Sequence, residues 1–396
     1  MEISSYASKR ILSLGDYAFA EVDREVEKLR SKGINPIDFG VGDPTVPTPV
    51  NIRKQTQTGI DTYRSSGYPS YIGDKNFRSI VAKWIKNRFD VNLDSDNEIS
   101  SSIGSKEAIF NFHESVIDPG DIVICPSPGY PPYSRGAIFS EGVPYFVPLL
   151  AENNFLIDFS EIPTEIAERA KVLWLNYPNS PSGAVATKSF YREAVEFASY
   201  HNIIIASDEA YSEIYFEEPP ISILNVKKEG IIVFNSLSKR SAMTTYRIGW
   251  VGGDSELISL YRKIKTNIDS GTPTFIQSGA IAALEDETHV NIFREEYKIK
   301  RDILCSALKA IGLPSCIPDA TIYVWQQTPK DMTSVEFATA LLNPRVAIVT
   351  TPGPWISEHL PNQFNPGEGY VRFALVPSLE ETKRAAKLLH NINLET

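Results

Sequence analysis

Cysteine and histidine are scarce in this sequence, with three and five residues respectively in a chain of 396. The cysteines, Cys125, Cys305 and Cys316, are too few and too scattered for a disulfide framework or a zinc knuckle. We interpret them as unpaired thiols in a reducing cytoplasm. The histidines show neither an HExxH motif nor another paired-ligand spacing, so the sequence predicts no metal site.

Long apolar runs and an excess of positive charge are also missing. No stretch approaches the length that spans a membrane, and the N-terminal MEISSYASKR lacks the apolar segment of a signal peptide. The net charge of −10 argues against a nucleic-acid or anionic-membrane partner. We therefore expect a cytoplasmic protein that binds neither nucleic acid nor membrane.

What is present is an ordinary globular composition, with 42% hydrophobic and 22% charged residues. Short apolar runs alternate with helical segments such as 74–89 and 187–200, a pattern that predicts an α/β domain with a mostly parallel sheet. The apolar runs lie at 121–128, 171–178, 202–211, 230–239 and 247–254.

The pattern changes after about residue 285, where a long charged helix over 286–311 precedes short mixed segments. This change predicts a smaller α+β domain. An amphipathic helix over 16–32, with Gly33 as its stop, is expected to pack there too. We predict a large domain over 46–284, and a small domain formed by 1–45 together with 285–396.

Polar residues cluster at the carboxyl ends of the apolar runs. In open α/β sheets, ligands bind at this edge. The loops that follow residues 103, 128, 178, 211, 239 and 247 are therefore expected to surround one site.

Lys239 in SLSKRSAMTTYR follows an apolar run between Ser236 and Ser238, with Arg247 eight residues further on. Hydroxyls and a cation around an amine suit a phosphate-bearing ligand and a reactive lysine. Asp208 ends the preceding apolar run, so its carboxylate needs a cationic partner. That partner is either a pyridinium nitrogen or a structural arginine.

Three further segments suit a ligand of this kind. In IGSKEAIF, a strand leads through Ser105 and Lys106 into a helix, whose first N–H groups form an anion site. Tyr130 in PSPGYPPY either stacks on a flat ligand or is an ordinary packed tyrosine. Arg372 in GYVRFALV lies in an apolar strand and needs a carboxylate, from the protein or from a substrate.

Taken in order with the polar turn NYPNSPSG, these segments resemble the class I/II, fold type I, pyridoxal 5′-phosphate (PLP)-dependent aminotransferases over nearly the whole chain. The resemblance implies a large domain with a mostly parallel sheet, a smaller α+β domain, and small amino acids and 2-oxo acids as substrates. It places the Schiff-base lysine at Lys239, the carboxylate on the pyridine nitrogen at Asp208 and the hydroxyl that binds the ring O3′ at Tyr211. It puts the stacking aromatic at Tyr130 and the arginine for the substrate α-carboxylate at Arg372.

The same resemblance implies phosphate ligands at Ser105, Lys106, Ser236, Ser238 and Arg247. Gly42 in GVGDPT matches a substrate-side glycine. Tyr68 matches a tyrosine that reaches the phosphate of a partner subunit, which implies a homodimer with its sites at the interface.

Within the family, stretches such as GYPSYIGDKNFR and DATIYVW resemble the LL-diaminopimelate aminotransferases of lysine biosynthesis, which implies a substrate contact at Tyr17. SLSKRS resembles the N-succinyl-diaminopimelate enzymes instead.

Two positions depart from the pattern of the family. Ser180 stands where the family has an asparagine that donates to O3′, which leaves this contact to Tyr211, Asn179 or water. Ser270 stands where some diaminopimelate enzymes have a substrate-site asparagine.

Other functions share this pattern. An aspartate, alanine or aromatic aminotransferase, a C–S lyase or a decarboxylase would carry the same cofactor residues. The aminotransferase-like domain of a transcription regulator would need a DNA-binding domain as well, for which the motifs, starting near residue 17, leave no room.

Overall fold

The computed structural model describes residues 6–14, 20–360 and 362–394. The strands are β1 (Ile37–Asp38), β2 (Ile99–Ser102), β3 (Ile122–Ser127), β4 (Val143–Pro148), β5 (Ala170–Asn176), β6 (Ile204–Asp208), β7 (Ile231–Ser236), β8 (Gly249–Gly253), β9 (Tyr323–Gln327), β10 (Ile348–Val349), β11 (Thr351–Pro352) and β12 (Tyr370–Ala374). The α-helices are α1 (Lys9–Leu12), α2 (Ala20–Ser31), α3 (Val50–Thr62), α4 (Lys75–Phe89), α5 (Gly104–Val116), α6 (Pro132–Phe139), α7 (Thr164–Ala167), α8 (Lys188–His201), α9 (Leu237–Arg240), α10 (Ser255–Ile268), α11 (Thr274–Glu285), α12 (Thr288–Ala310), α13 (Ser334–Leu341) and α14 (Leu379–Leu389).

The largest sheet has seven strands in the order β2-β8-β7-β6-β5-β3-β4. The neighbours from β7 to β4 pair in parallel, whereas β8 runs antiparallel to both β2 and β7. The predicted α/β class with a mostly parallel sheet is confirmed. Strand β4, VPYFVP, was not predicted; it contains two prolines, which are tolerated in strands mainly at a sheet edge, and β4 is an edge strand.

Helices cover both faces of this sheet, as the side chains of β5 show. Leu173 and Leu175 face a core shared with α4, α8 and α11. Val172 and Trp174 face a second core shared with α5, α6 and α10. Burial on both faces is why the central strands read as continuous apolar runs.

The remaining strands form smaller sheets. Strand β1 pairs in parallel with β10, and β11, β12 and β9 form an antiparallel sheet. The run AIVTT is divided between β10 and β11. The β1–β10 pair joins the N-terminal segment to the C-terminal part of the chain, an arrangement that supports a discontinuous small domain. The boundaries at 45/46 and 284/285 stay a prediction.

Helix termini follow local signals. Asp74 caps α4 by accepting a hydrogen bond from the Asn76 amide, as expected of an aspartate at this position. Helix α2 ends before Gly33, which has a φ of 77°. The predicted start of this helix at residue 16 lies outside the described residues. Within the described ranges, no helix is long and apolar enough to cross a membrane.

Candidate active site

The carboxyl ends of β5, β6 and β7 lie side by side and open into a cavity of about 470 Å³. Segments distant in sequence complete its wall, including the loop after β1, the start of α5 and strands β9 and β12. The predicted site residues that line this cavity are Gly42, Ser105, Lys106, Tyr130, Ser180, Asp208, Tyr211, Ser236, Ser238, Lys239, Arg247 and Arg372.

Asn179 does not line the cavity. Its Oδ1 atom accepts hydrogen bonds from the amide (3.1 Å) and hydroxyl (2.7 Å) of Ser182, and its amide donates to the Asn176 carbonyl (3.3 Å). These bonds hold the turn in its folded shape. The structure places Asn176 at the cavity wall instead, where its amide donates to the Asp208 carbonyl at 3.0 Å.

Tyr68 and Ser270 also lie away from the cavity of their own chain. The side chain of Tyr68 is 88% exposed. Gly271, beside Ser270, packs so closely on this region that an added Cβ would lie 2.5 Å from the Ser70 carbonyl oxygen. The two residues therefore belong to adjoining surface loops. Tyr17 lies outside the described residues.

One end of the cavity is built to bind an anion. Helix α5 has no side-chain cap, so the N–H groups of its first turn are available to a ligand. Gly104 begins this helix with a φ of 71°, and a Cβ there would lie 2.3 Å from Nη2 of Arg247. Only glycine lets the guanidinium approach the helix so closely. Ser105, Lys106, Ser236 and Ser238 line the cavity nearby.

Asp208 is a buried carboxylate without a cation. Its Oδ2 atom accepts a hydrogen bond from the Tyr133 hydroxyl (2.8 Å), and Oδ1 accepts one from the Ala210 amide (3.1 Å). Burial raises the pKa of Asp208 from 3.8 to about 6, although these hydrogen bonds act in the opposite direction. Among the described residues no lysine or arginine forms an ion pair with it. The structural arginine, one of the two partners that the sequence left open, is therefore not present there.

Tyr133 is held against Asp208 by aromatic packing. Its ring stacks on Trp174 with centroids 4.7 Å apart, and the Trp174 indole donates to Nε2 of His113 at 3.0 Å. Burial lowers the pKa of His113 to about 4, so this ring stays neutral and accepts that bond. Gly136 makes room for it, since a Cβ there would lie 2.2 Å from Nδ1 of His113.

Lys239 lies on the short helix α9 and donates from Nζ to the Gly42 carbonyl. Gly42 also makes room for Tyr323, because a Cβ at this position would lie 2.0 Å from the Tyr323 hydroxyl. That hydroxyl is 3.0 Å from the hydroxyl of Tyr211. Burial opposes ionisation of Tyr323, yet the charges of Arg372 and Lys239 and the neighbouring hydroxyls of Tyr211 and Ser180 together lower its pKa.

Arg372 on β12 has no carboxylate partner among the described residues. Its Nη2 atom donates to the Gly40 carbonyl at 3.0 Å, and its guanidinium lies 4.6 Å from the centroid of the Tyr323 ring. Its Nε atom is buried without a hydrogen-bond partner. A guanidinium that lines a cavity and has no anionic partner among the described residues is suited to bind a carboxylate.

Seven lining residues were not predicted, namely Val41, Asp43, Tyr133, Asn176, Ala210, Thr244 and Tyr323. Asn176 ends an apolar run, as Asp208 does, so the same reasoning would have found it. The only sequence feature that pointed to Tyr133 was its position in the same proline-bounded segment as Tyr130. Tyr323 lies in DATIYVW, and nothing in the local pattern shows that it faces a ligand.

The family described as "Aminotransferase class I and II" matches residues 34–389. The chain belongs to this family, and it is a PLP-dependent aminotransferase of fold type I. It is 44% identical to the LL-diaminopimelate aminotransferase of Aquifex aeolicus over 391 residues, which cover 98% of this chain and 99% of that protein.

Two solved structures from Thermus thermophilus are also similar. A probable N-succinyldiaminopimelate aminotransferase has a TM-score of 0.87 at 28% identity, covering 95% of this chain and 100% of its own. A mutant aspartate aminotransferase has a TM-score of 0.89 at 26% identity, covering 97% of this chain and 99% of its own.

The cavity fits PLP at each functional group of the cofactor. The start of α5 and Arg247 suit the phosphate, and the carboxylate of Asp208, which lacks a cation, suits a protonated pyridine nitrogen. Lys239 supplies an amine for covalent attachment, and Tyr130 supplies an aromatic face. The close approach of Arg247 to Gly104 is the most specific of these features, because any side chain at position 104 would occupy the space that the Arg247 guanidinium fills.

Proposed function

We propose that this aminotransferase transfers the amino group between LL-diaminopimelate and glutamate, each with its 2-oxo acid. The observation that supports an α-amino acid substrate is Arg372, which lines the same cavity as Lys239 and has no carboxylate partner among the described residues. The similarity to the Aquifex aeolicus relative supports LL-diaminopimelate as the particular substrate.

When bound, PLP supplies an electron sink for the electron pair of the substrate Cα–H bond. Arg372 binds the α-carboxylate and so fixes the direction of that bond. The amine of Lys239 takes the proton from Cα and later returns it on the product side. Asp208 holds a proton at the pyridine nitrogen, and Tyr133, which donates to its Oδ2 atom, keeps the carboxylate oriented.

We assign the contact with the ring O3′ to Tyr211 rather than to Asn179. The Asn179 side chain is occupied within its turn. Ser180 lines the cavity, but its side chain is shorter than that of the asparagine that the family has at this position. Tyr211 is within hydrogen-bonding distance of Tyr323, and burial together with Tyr323 raises its pKa well above the ordinary value. It therefore stays protonated. It can donate to O3′ when Tyr323 is the donor in the hydrogen bond between the two tyrosines, a bond in which either hydroxyl can donate.

Two relatives suggest other substrates, the N-succinyl derivative of LL-diaminopimelate and aspartate. A C–S lyase on this scaffold would use the same cofactor residues and differ only in its products. A cytoplasmic location stays a prediction, consistent with the three unpaired cysteines.

The test is a panel of amino donors with 2-oxoglutarate, comparing kcat/KM for LL-diaminopimelate, N-succinyl-LL-diaminopimelate, aspartate, alanine and phenylalanine. We expect LL-diaminopimelate to lead by at least about tenfold, or about 1.4 kcal/mol in the transition state. A comparable lead for any other donor would replace the proposed substrate. L-Cystathionine tests the C–S lyase alternative, because elimination of its sulfur as a thiol would release pyruvate and ammonia without amino transfer.

Gly104→Ala is expected to weaken PLP binding at least about tenfold, or about 1.4 kcal/mol, because the new Cβ displaces Arg247 from the start of α5. Gly120→Ala is the matched control, since Gly120 also has a positive φ but has no atom within 4 Å of the added Cβ. Both substitutions should cost about 1–2 kcal/mol of stability through the left-handed backbone. Equilibrium titration of the two apoenzymes with PLP gives the affinities. Equal affinities would show that the site formed by the start of α5 and Arg247 does not bind the phosphate.

We also propose a homodimer in which Tyr68 reaches the phosphate of the neighbouring subunit. Sedimentation is expected to give a dimer at assay concentrations, and Tyr68→Phe should reduce PLP affinity. Tyr200→Phe is the control, because Tyr200 is 85% exposed and lies on α8, away from the cavity. A fully active monomer, or equal PLP affinity in the two variants, would contradict this proposal.

A further inference from the structure

The charges around the cavity leave one carboxylate without a role. Among the described lining residues the cations are Lys106, Lys239, Arg247 and Arg372, and the anions are Asp43 and Asp208. Lys106 and Arg247 are assigned to the phosphate, Lys239 to proton transfer and Arg372 to the α-carboxylate. Asp208 is assigned to the pyridine nitrogen, so Asp43 is the one charged lining residue without an assigned role.

Asp43 is available to a ligand. Its side chain is exposed yet lines the cavity. Its backbone amide donates to the Val41 carbonyl at 2.9 Å, which fixes the turn that carries it. In the described parts of the chain, its carboxylate forms no ion pair and accepts no hydrogen bond. A carboxylate in such a position can form a charge-assisted hydrogen bond with a substrate without breaking an existing contact.

Asp43 also follows directly on the residue that contacts the reacting amine. The carbonyl of Gly42, the residue before it, accepts the hydrogen bond from Nζ of Lys239. Asp43 and Lys239 line the same cavity, so a substrate whose α-carbon lies beside Nζ of Lys239 shares that cavity with the Asp43 carboxylate.

We propose that Asp43 is a specificity-determining residue that binds the distal ammonium group of a diamino dicarboxylate substrate. This inference rests on the proposed function and names the group that distinguishes LL-diaminopimelate from its competitors. N-succinylation removes the positive charge that Asp43 would bind. Asp43 therefore favours the free diamino acid over the succinyl derivative.

The test compares LL-diaminopimelate with L-2-aminopimelate, which has the same two carboxylates and lacks only the distal amine. The unaltered enzyme should prefer LL-diaminopimelate in kcat/KM by about 10- to 100-fold, as expected for a hydrogen bond between charged groups. Asp43→Asn should reduce this preference to within about threefold, and Asp43→Glu should restore part of it. The control is Asp61→Asn, which removes the same charge from an exposed position on α3 and should leave the preference unchanged.

An unchanged preference in Asp43→Asn, with LL-diaminopimelate still the best donor of the unaltered enzyme, would overturn the inference and leave the proposed function intact. If LL-diaminopimelate is a poor donor, the proposed function fails. Inhibition of glutamate transamination then decides the role of Asp43. The role of Asp43 is supported if LL-diaminopimelate inhibits more strongly than 2-aminopimelate and this difference disappears in Asp43→Asn. Equal inhibition by the two compounds in the unaltered enzyme would overturn the role.

Discussion

Lys239→Ala is expected to abolish transamination and covalent attachment of PLP to the chain. Proton transfer by a positioned side chain is worth about 10²–10⁴-fold by itself, and this variant loses the attachment point as well. Activity should therefore fall below detection. Borohydride reduction followed by mass spectrometry of the intact chain measures the attachment independently of activity.

A matched control separates this effect from general changes in lysine content. Lys263 is exposed on α10 and lies outside the cavity lining, so Lys263→Ala should retain both activity and PLP attachment. PLP that remains bound to Lys239→Ala without being trapped by reduction would agree with the assigned role. Turnover together with trapping at another lysine would show that Lys239 is not the reacting residue.

Asp208→Asn is expected to lower kcat by about 10²–10⁴-fold, the range for loss of a group that controls a proton in the reaction. An amide cannot stabilise positive charge at the pyridine nitrogen. PLP should still bind, because the phosphate contacts are unaffected. Measuring kcat and the PLP dissociation constant separately distinguishes this role from a general loss of the site.

The same substitution should stabilise the apoenzyme. Because the pKa of Asp208 rises from 3.8 to about 6 in the folded chain, the folded state binds this proton more tightly than the unfolded state. Ionisation therefore costs stability, by up to about 3 kcal/mol. This cost is absent below about pH 4 and complete above about pH 7. Asp208→Asn should raise the melting temperature of the apoenzyme at pH 8, with the gain decreasing towards pH 4.

Glu209→Gln is the matched control for the activity measurement. Glu209 is also buried, and burial raises its pKa to about 7. Its carboxylate accepts hydrogen bonds from Ser222 and the Ile223 amide, away from the cavity lining. Glu209→Gln should therefore keep transamination activity. If Asp208→Asn stays near normal in turnover, Asp208 is only structural.

The turn after β5 shows where prediction from sequence reaches its limit. Asn176, Asn179 and Ser180 are all polar and lie at or after the end of the same apolar run. From the sequence, each of them is therefore a candidate for contact with the ligand. The choice depends on hydrogen bonds within the turn, which occupy Asn179 and leave Asn176 at the cavity wall. Such bonds join residues several positions apart and leave no periodic signal.

The sequence by itself determined the sheet and most of the site. Central strands buried on both faces must be apolar throughout, and a polar residue that ends such a strand is conspicuous, as Asp208 and Lys239 are. Tertiary structure decided which distant side chains meet them. Tyr133 is brought to Asp208 by stacking on Trp174, and Tyr323 reaches Tyr211 across the space left by Gly42. These contacts depend on where α6 and β9 lie relative to the carboxyl end of β6. The relative placement of segments far apart in the chain cannot be predicted from the local sequence pattern of either segment.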